Sequence, residues 1–257
     1  MFPIRDDNPH FLTPVVTYAL IGLNVAAWIL VQGLGAPEAL ARSVCDLGLV
    51  PGELLGRIAP GTAFPMGPYA CVVDPQPSWS TTLSHMFLHG GWFHLIGNMW
   101  FLWIFGNNVE DSMGHARFAA FYLLCGLAAA ALQMLSRPDS IVPMVGASGA
   151  IGGVMGAYVM LYPRVRVHLL LVLGFYITTV AVPAVFMLGY WFLIQLIGGA
   201  ASLGQDDGGG VAFWAHVGGF AAGALLVFLF RKRALVARHP YHGWRAPSAR
   251  GWRVPSR

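Results

Sequence analysis

The chain has 257 residues, of which 56% are hydrophobic and only 10% charged, far below the roughly 25% charge of a soluble domain. That composition excludes a water-soluble globular enzyme and predicts an integral membrane protein. The formal net charge of +4 comes mostly from the C-terminal residues, which read as an anchor on anionic lipid rather than as a nucleic-acid surface.

Six apolar segments lie at about 14–34, 91–108, 115–136, 146–162, 183–200 and 211–230. Each approaches the ~20 residues that cross ~30 Å of hydrocarbon. They are uninterrupted runs rather than alternating ones, so the prediction is an all-α membrane protein, a six-helix bundle over 14–231, and not a barrel. Residues 1–13 are expected to be a cytoplasmic tail. Its Arg5 stands against Asp6 and Asp7, and no clear small-residue cleavage site follows, so the first segment is expected to be a retained span.

The loop over 35–90 is too long for a bare connector and carries Pro51, Pro60, Pro65, Pro68, Pro75 and Pro77. It is expected to be a structured outer insertion. Cys45 and Cys71 both fall in it and either pair or stay free; Cys125, in the third span, is expected to be packing. The second span opens with "HLIGN", in which His94 and Asn98 are four apart and share one helical face. Interhelical polar contact would also explain them.

The fourth span opens with "GASG". A serine in an apolar helix ordinarily bonds back to its own backbone, but Gly146 and Gly149 flank Ser148, Pro143 precedes it, and helix N-terminal amides point at its neighbourhood. Residues 164–182, with Arg164, Arg166 and the β-branched "YITTVAV" ending at Pro183, suggest an interfacial cytoplasmic segment. In the fifth span Trp191 and Phe192 are either a lateral gate or ordinary lipid-facing aromatics. The glycine-rich stretch at 198–213 is either a mobile lid or a plain linker.

The sixth span opens with "AHVGGFAAG". His216 is followed by Gly219 and Gly223, and the fourth span answers with Gly149, Gly152, Gly153 and Gly156. Small residues at this spacing let helix backbones approach closely. Packing the two faces together brings Ser148 and His216 toward hydrogen-bond reach, the relation of a nucleophile to its base. His94, Asn98 and the amides of the fourth span are then placed to stabilise an oxyanion. All carboxylates fall outside the spans or at their edges, which disfavours an aspartyl mechanism and leaves a dyad. No HExxH motif occurs.

The basic residues give the orientation. Twelve, including eight from Arg231 onward, fall on one side and three (Arg42, Arg57, Arg137) on the other, so both termini, including a basic tail at 232–257, are expected in the cytoplasm. A bacterial cytoplasmic membrane is the expected location.

"HMFLHGGWFHLIGN", "GASG" and "AHVGGFAAG", in this order over about 14–231, resemble the rhomboid family of intramembrane serine proteases. The resemblance implies a rhomboid-like bundle with a Ser148–His216 dyad and His94 and Asn98 in the oxyanion hole. It also implies single-span membrane substrates cut near the outer face at helix-breaking and small residues, and no cofactor or metal. "VEDSMG" is similar to the family's ExxxG element, implying structural roles for Glu110 and Gly114. His85 and His89 match loop-supporting histidines; zinc on His85, His89 and His94 is the alternative. Two features depart from the family pattern. Trp79 is followed by Ser80 where many members have arginine, and Gly152 stands where some members stack a tyrosine on the histidine. The expected partners are transmembrane protein substrates and membrane lipid. The competing readings are a non-proteolytic membrane scaffold and a small transporter with a polar pathway.

Overall fold

The computed structural model describes residues 2–203 and 210–243. In chain order its elements are β1 (Phe2–Asp6), α1 (Val15–Leu30), α2 (Pro37–Leu47), α3 (Pro51–Leu54), β2 (Ala63–Met66), β3 (Tyr69–Val72), α4 (Thr81–Ser84), α5 (Trp92–Met113), α6 (His115–Ser136), α7 (Ser148–Leu161), β4 (Arg166–Leu173), β5 (Tyr176–Pro183), α8 (Ala184–Ser202), α9 (Phe213–Phe230) and α10 (Arg233–Val236). The molecule is mostly helical. By length and composition α6, α8 and α9 can each cross a membrane, and α1 and α7 are shorter apolar helices. Its helix α5 carries Asn98, Asn107, Asn108, Glu110 and Asp111 and is buried along most of its length.

The all-α expectation needs correction, because two small sheets are present. Residues 164–182, expected as an interfacial segment, are mostly strand. Their β-branched run forms strand β5, paired antiparallel with β4 from Arg166↔Pro183 to Leu173↔Tyr176. Gly174 at φ 63° supplies the positive φ that the tight turn requires. The other edge of β4 is taken by β1, so the N-terminal residues expected as a tail are part of a three-stranded sheet. Its last residue, Asp6, accepts a hydrogen bond from the Tyr158 hydroxyl of α7.

The insertion over 35–90 is built, as its length suggested, from short helices and the β2–β3 hairpin. Cys45 and Cys71, left open by the sequence, form a disulfide joining α2 to β3. A two-way backbone bridge between Leu49 and Met144, with N···O distances of 3.0 and 2.7 Å, fastens this insertion to the segment leading into α7.

At the opposite end of the bundle the α5–α6 corner acts as a clasp. Gly114 adopts φ 78°, a left-handed conformation that a side chain rarely tolerates, and so lets the chain reverse between two long helices. Just before it, the fully buried Glu110 accepts from the Val16 and Thr17 amides at 2.9 and 2.8 Å and the Thr17 hydroxyl at 2.7 Å, with His115 Nδ1 at 2.6 Å. A carboxylate against the first turn of α1 also opposes that helix's positive end. Asp111 accepts from the Phe11 and Leu12 amides at 2.6 and 2.8 Å and meets His239 Nε2 at 3.1 Å. His239, in the segment expected as a free basic tail, is buried. Residues 244–257 lie outside the described residues.

Two predictions follow from these contacts. Glu110→Ala strands two amides and a hydroxyl and is expected to lower stability by about 3 kcal/mol, read from unfolding in detergent; an unchanged midpoint would show that the clasp carries no stability. Burial raises the Asp6 carboxyl to about 7, so the folded chain retains a proton that the unfolded chain releases near pH 4. Stability is therefore expected to be greatest below that range and to decline as pH rises through about 7. Asp6→Asn should flatten the decline when unfolding is compared at about pH 5 and about pH 8.

Candidate active site

Glycines on α7 and α9 bring two helix backbones into contact. A β-carbon at Gly219 would overlap the carbonyl oxygen of Gly149, and one at Gly223 would overlap that of Gly153. With nothing between them the helices pack along their length, and their N-terminal ends come level. Ser148, at the start of α7, and His216, in the first turn of α9, then stand 2.8 Å apart, Oγ to Nε2. The sequence separates them by 68 positions. An imidazole nitrogen within hydrogen-bond reach of a serine hydroxyl is the arrangement that suits nucleophilic acyl transfer.

The surroundings are polar on one side only. A cavity of about 430 Å³ is lined by His94, Asn98, Ser148, Met155, Trp191 and His216, among others. Gly146, at φ 130°, carries the chain past His94, whose Nε2 would lie 2.8 Å from any β-carbon placed there. Asn98, four residues along α5, is buried with its amide nitrogen unpartnered among the described residues and lines the same cavity. The first-turn amides of any helix lack intrahelical acceptors, and those of α7 begin at Ser148 itself. His94, Asn98 and these amides therefore converge on the space beside the hydroxyl.

In the preceding loop the His85 ring meets backbone, whereas His89 is itself held through its backbone. His85 is buried, its Nδ1 lies 2.8 Å from the Thr81 carbonyl oxygen, and its own carbonyl accepts from the Gly146 amide at 2.9 Å. Burial lowers its pKa to about 4. His89 is fixed through its backbone by Gln32, which both accepts from its amide and donates to its carbonyl at 2.8 Å. Burial and, next, the neighbouring His94 lower His89 to about 3. Its ring packs edge to face on His94, centroids 5.2 Å apart. Among the described residues no three His, Cys, Asp or Glu side chains gather to hold a metal ion. At the departure noted after Trp79, Ser80 shares an exposed 2.7 Å hydrogen bond with Ser78, and further on Ser84 donates to Leu47 O at 2.7 Å.

The absent tyrosine also has a structural counterpart. A β-carbon at Gly152 would meet the His216 carbonyl oxygen at 3.2 Å, the Phe220 amide nitrogen at 3.5 Å and the indole of Trp191 from α8 at 3.7 Å. Trp191 lies against His216 with ring centroids 5.6 Å apart and planes inclined by 37°. Its neighbour Phe192 stacks on Phe220 of α9 at 4.5 Å. Both side chains are half-buried and pack on residues of α9. The stretch at 204–209, in the middle of the expected lid, lies outside the described residues.

Several amide side chains inside the apolar segments escaped the sequence reading, among them Asn24, Gln133 and Gln195. Asn24 donates to Leu20 O within α1 at 2.8 Å, and Gln133 of α6 accepts from the Ala215 amide at 3.2 Å. Gln195 of α8 is the one that reaches the site, its Oε1 2.8 Å from His216 Nδ1. The signal was present in the sequence, since an amide within a hydrocarbon-spanning run is itself a functional candidate.

Comparison with known proteins shows what the chain is similar to. A family model described as a rhomboid domain matches residues 76–233. The chain is similar to "RHOMBOID-like protein 4" of Arabidopsis thaliana, 31% identical over 173 residues, covering 67% of this chain and 38% of that protein. It is equally similar to "Rhomboid protease GluP" of Bacillus subtilis, 31% identical over 177 residues, covering 67% of this chain and 33% of that protein. A shorter match, 31% over 100 residues, is to "Rhomboid protein 1, mitochondrial" of Saccharomyces cerevisiae, with 37% of this chain and 29% of that protein covered. The aligned part thus spans less than half the length of each of these relatives.

The glycine contact yields its own test. Gly219→Ala or Gly223→Ala should force α7 and α9 apart, with a stability loss of about 1–3 kcal/mol and loss of Ser148 labelling by a serine-directed fluorophosphonate. Gly22→Ala, where the added carbon meets nothing within 4 Å, should leave both unchanged. Wild-type labelling in the Gly219 and Gly223 variants would show that close backbone approach is not needed.

Proposed function

The chain belongs to the rhomboid family, and from that premise we propose that it is an intramembrane serine endopeptidase that cuts single-span membrane proteins. The observation that carries the reading is the 2.8 Å approach of Ser148 Oγ to His216 Nε2 inside a cavity with polar donors. In this reading Ser148 and His216 form a catalytic dyad. The Ser148 proton passes to Nε2 as Oγ attacks the substrate carbonyl carbon, and the charge on the resulting oxyanion is held by His94, Asn98 and the first amides of α7. Collapse of the tetrahedral intermediate breaks the C–N bond, and the imidazolium returns its proton to the leaving amine. A water molecule, deprotonated by the same imidazole, then releases the acyl group from Ser148.

Helices α1, α5, α6, α7, α8 and α9 would be the six spans, with both termini cytoplasmic and a bacterial cytoplasmic membrane as the host. Ser148 and His216 stand at the end of the bundle that carries the insertion over 35–90, held there by the Leu49–Met144 bridge and the Gly146–His85 bond. The twelve-to-three distribution of basic residues sets that end outside. Hydrolysis consumes water, and a cavity opening at the outer face admits it while hydrocarbon does not. A transmembrane substrate keeps its amides paired internally, so glycine or proline near the cut lowers the cost of unwinding it toward Ser148.

The test uses the full chain in detergent with a labelled single-span substrate. Wild type is expected to cleave it, whereas Ser148→Ala and His216→Ala fall to background. Transport or substrate retention that persists in Ser148→Ala, with no cleavage by wild type, would replace the protease reading by one of the other two classes. Replacing helix-breaking residues around the scissile bond by leucine is expected to slow cleavage; an unchanged rate would refute selection by helix instability.

A further inference from the structure

The dyad leaves one nitrogen of His216 unaccounted for, and the structure shows where it goes. Nδ1 lies 2.8 Å from Gln195 Oε1. An amide can present either end to a ring nitrogen, and the two ends have opposite consequences. A carbonyl oxygen accepts from Nδ1–H and leaves Nε2 with the lone pair that a base needs; an NH2 group would demand the other tautomer and leave Nε2 protonated. The orientation here is set by a second bond. Gln195 Nε2 donates to Trp191 O one turn earlier at 3.3 Å, so the amide turns its oxygen toward the imidazole.

Burial strengthens the argument. Helix α8 presents much apolar surface outward, including Phe186, Tyr190, Leu193, Ile194 and Ile197, while its buried residues are Ala184, Leu188, Gln195 and Gly199. A glutamine on the buried stripe of an apolar helix is unfavourable unless its polar atoms are engaged, and both of these are. Trp191, four residues away on the same helical face, covers the ring of His216. The titratable groups facing His216 are Ser148 from α7 and His94 from α5; α8 contributes the amide and the indole.

We propose that Gln195 is a positioning residue that holds His216 as the Nδ1–H tautomer, with Nε2 directed at Ser148. This deepens the protease reading and rests on it for its catalytic consequence. The tautomer itself does not depend on that reading, so the experiment separates the two. Nitrogen-15 NMR of histidine-labelled full chain, with His216 assigned by comparison with His216→Ala, reports which ring nitrogen is protonated. The expected result is Nδ1–H in wild type and a mixture of tautomers in Gln195→Leu. An Nε2–H signal in wild type, or an unaltered spectrum in Gln195→Leu, overturns the proposal whether or not the protein cleaves anything.

Kinetics supply the second measurement. Gln195→Leu should lower kcat about tenfold with KM little changed, since the lost bond orients the base and does not bind substrate. Gln195→Glu restores an acceptor and adds a charge that favours the imidazolium. Its activity should recover on the alkaline side, with the acid limb of the pH–rate profile moved to higher pH. A pure packing role predicts instead that both variants lose activity without moving the profile, and that outcome rejects the assignment. Failure of wild type to cleave, with the Nδ1–H spectrum intact, would sink the protease reading and leave the tautomer assignment standing.

Discussion

The contact on which the rest depends is the one between the bare backbones of α7 and α9. A hydrogen bond of 2.8 Å between Ser148 and His216 demands that two helices carrying short reaching side chains approach more closely than leucine or valine at the interface would allow. Bilayer lipid offers no hydrophobic drive for such an approach, because its chains are as apolar as the helices themselves. Glycine supplies it by permitting dispersion contacts between backbone atoms. Gly149 and Gly153 face Gly219 and Gly223, and the same stripe excludes any side chain that would hold Ser148 away from His216. Cys125 and Ala129 of α6 lie against the other side of α7, where β-carbons at Gly153 and Gly149 would meet them, so α7 is seated from two directions.

A second constraint acts on the imidazole. Its ring is covered by Trp191 and its Nδ1 engaged by Gln195, both from α8. The space beside Gly152 is bounded by the α9 backbone at His216 and Phe220 and by the indole of Trp191 from α8. The histidine is therefore oriented by a helix other than the one that carries it or the one that carries the serine.

Much of this was legible in the sequence where the signal is local. A hydroxyl between glycines at 148, a histidine ahead of glycines at 219 and 223, and a polar pair spaced by four at 94 and 98 each point to one face of one helix, and helical periodicity does the rest. What was not legible depends on partners far along the chain. Residues 164–182 are as apolar as a helix, and only the turn at Gly174 and pairing with β1, some 160 residues earlier, make them a sheet. Glu110 reads as an edge carboxylate until α1 supplies two amides and a hydroxyl and α6 supplies His115. The Cys45–Cys71 pairing could not be chosen from spacing alone. Gln195 was legible in principle, but its importance lies in Oε1 facing Nδ1, a geometric fact that no pattern of residue types contains.

The two ends of the molecule are held by different physics, and that difference bears on how a substrate could enter. At the α5–α6 corner, buried carboxylates bind several backbone amides each, and charge-assisted bonds of this kind are strong and directional. Helix α8 has no buried-carboxylate clasp among the described residues, although the guanidinium of Arg137 donates to the carbonyl oxygen of its last residue, Ser202. The helix is seated by apolar contact with α9, by Trp191 beside Gly152, and by the neutral amide of Gln195. Outside the bilayer, hydrophobic burial would hold such a helix in place; within lipid, leaving the bundle merely exchanges one apolar neighbour for another. Helix α8 also carries the acceptor for His216 Nδ1, so on the proposed reading a displacement of α8 would carry that acceptor away from the imidazole.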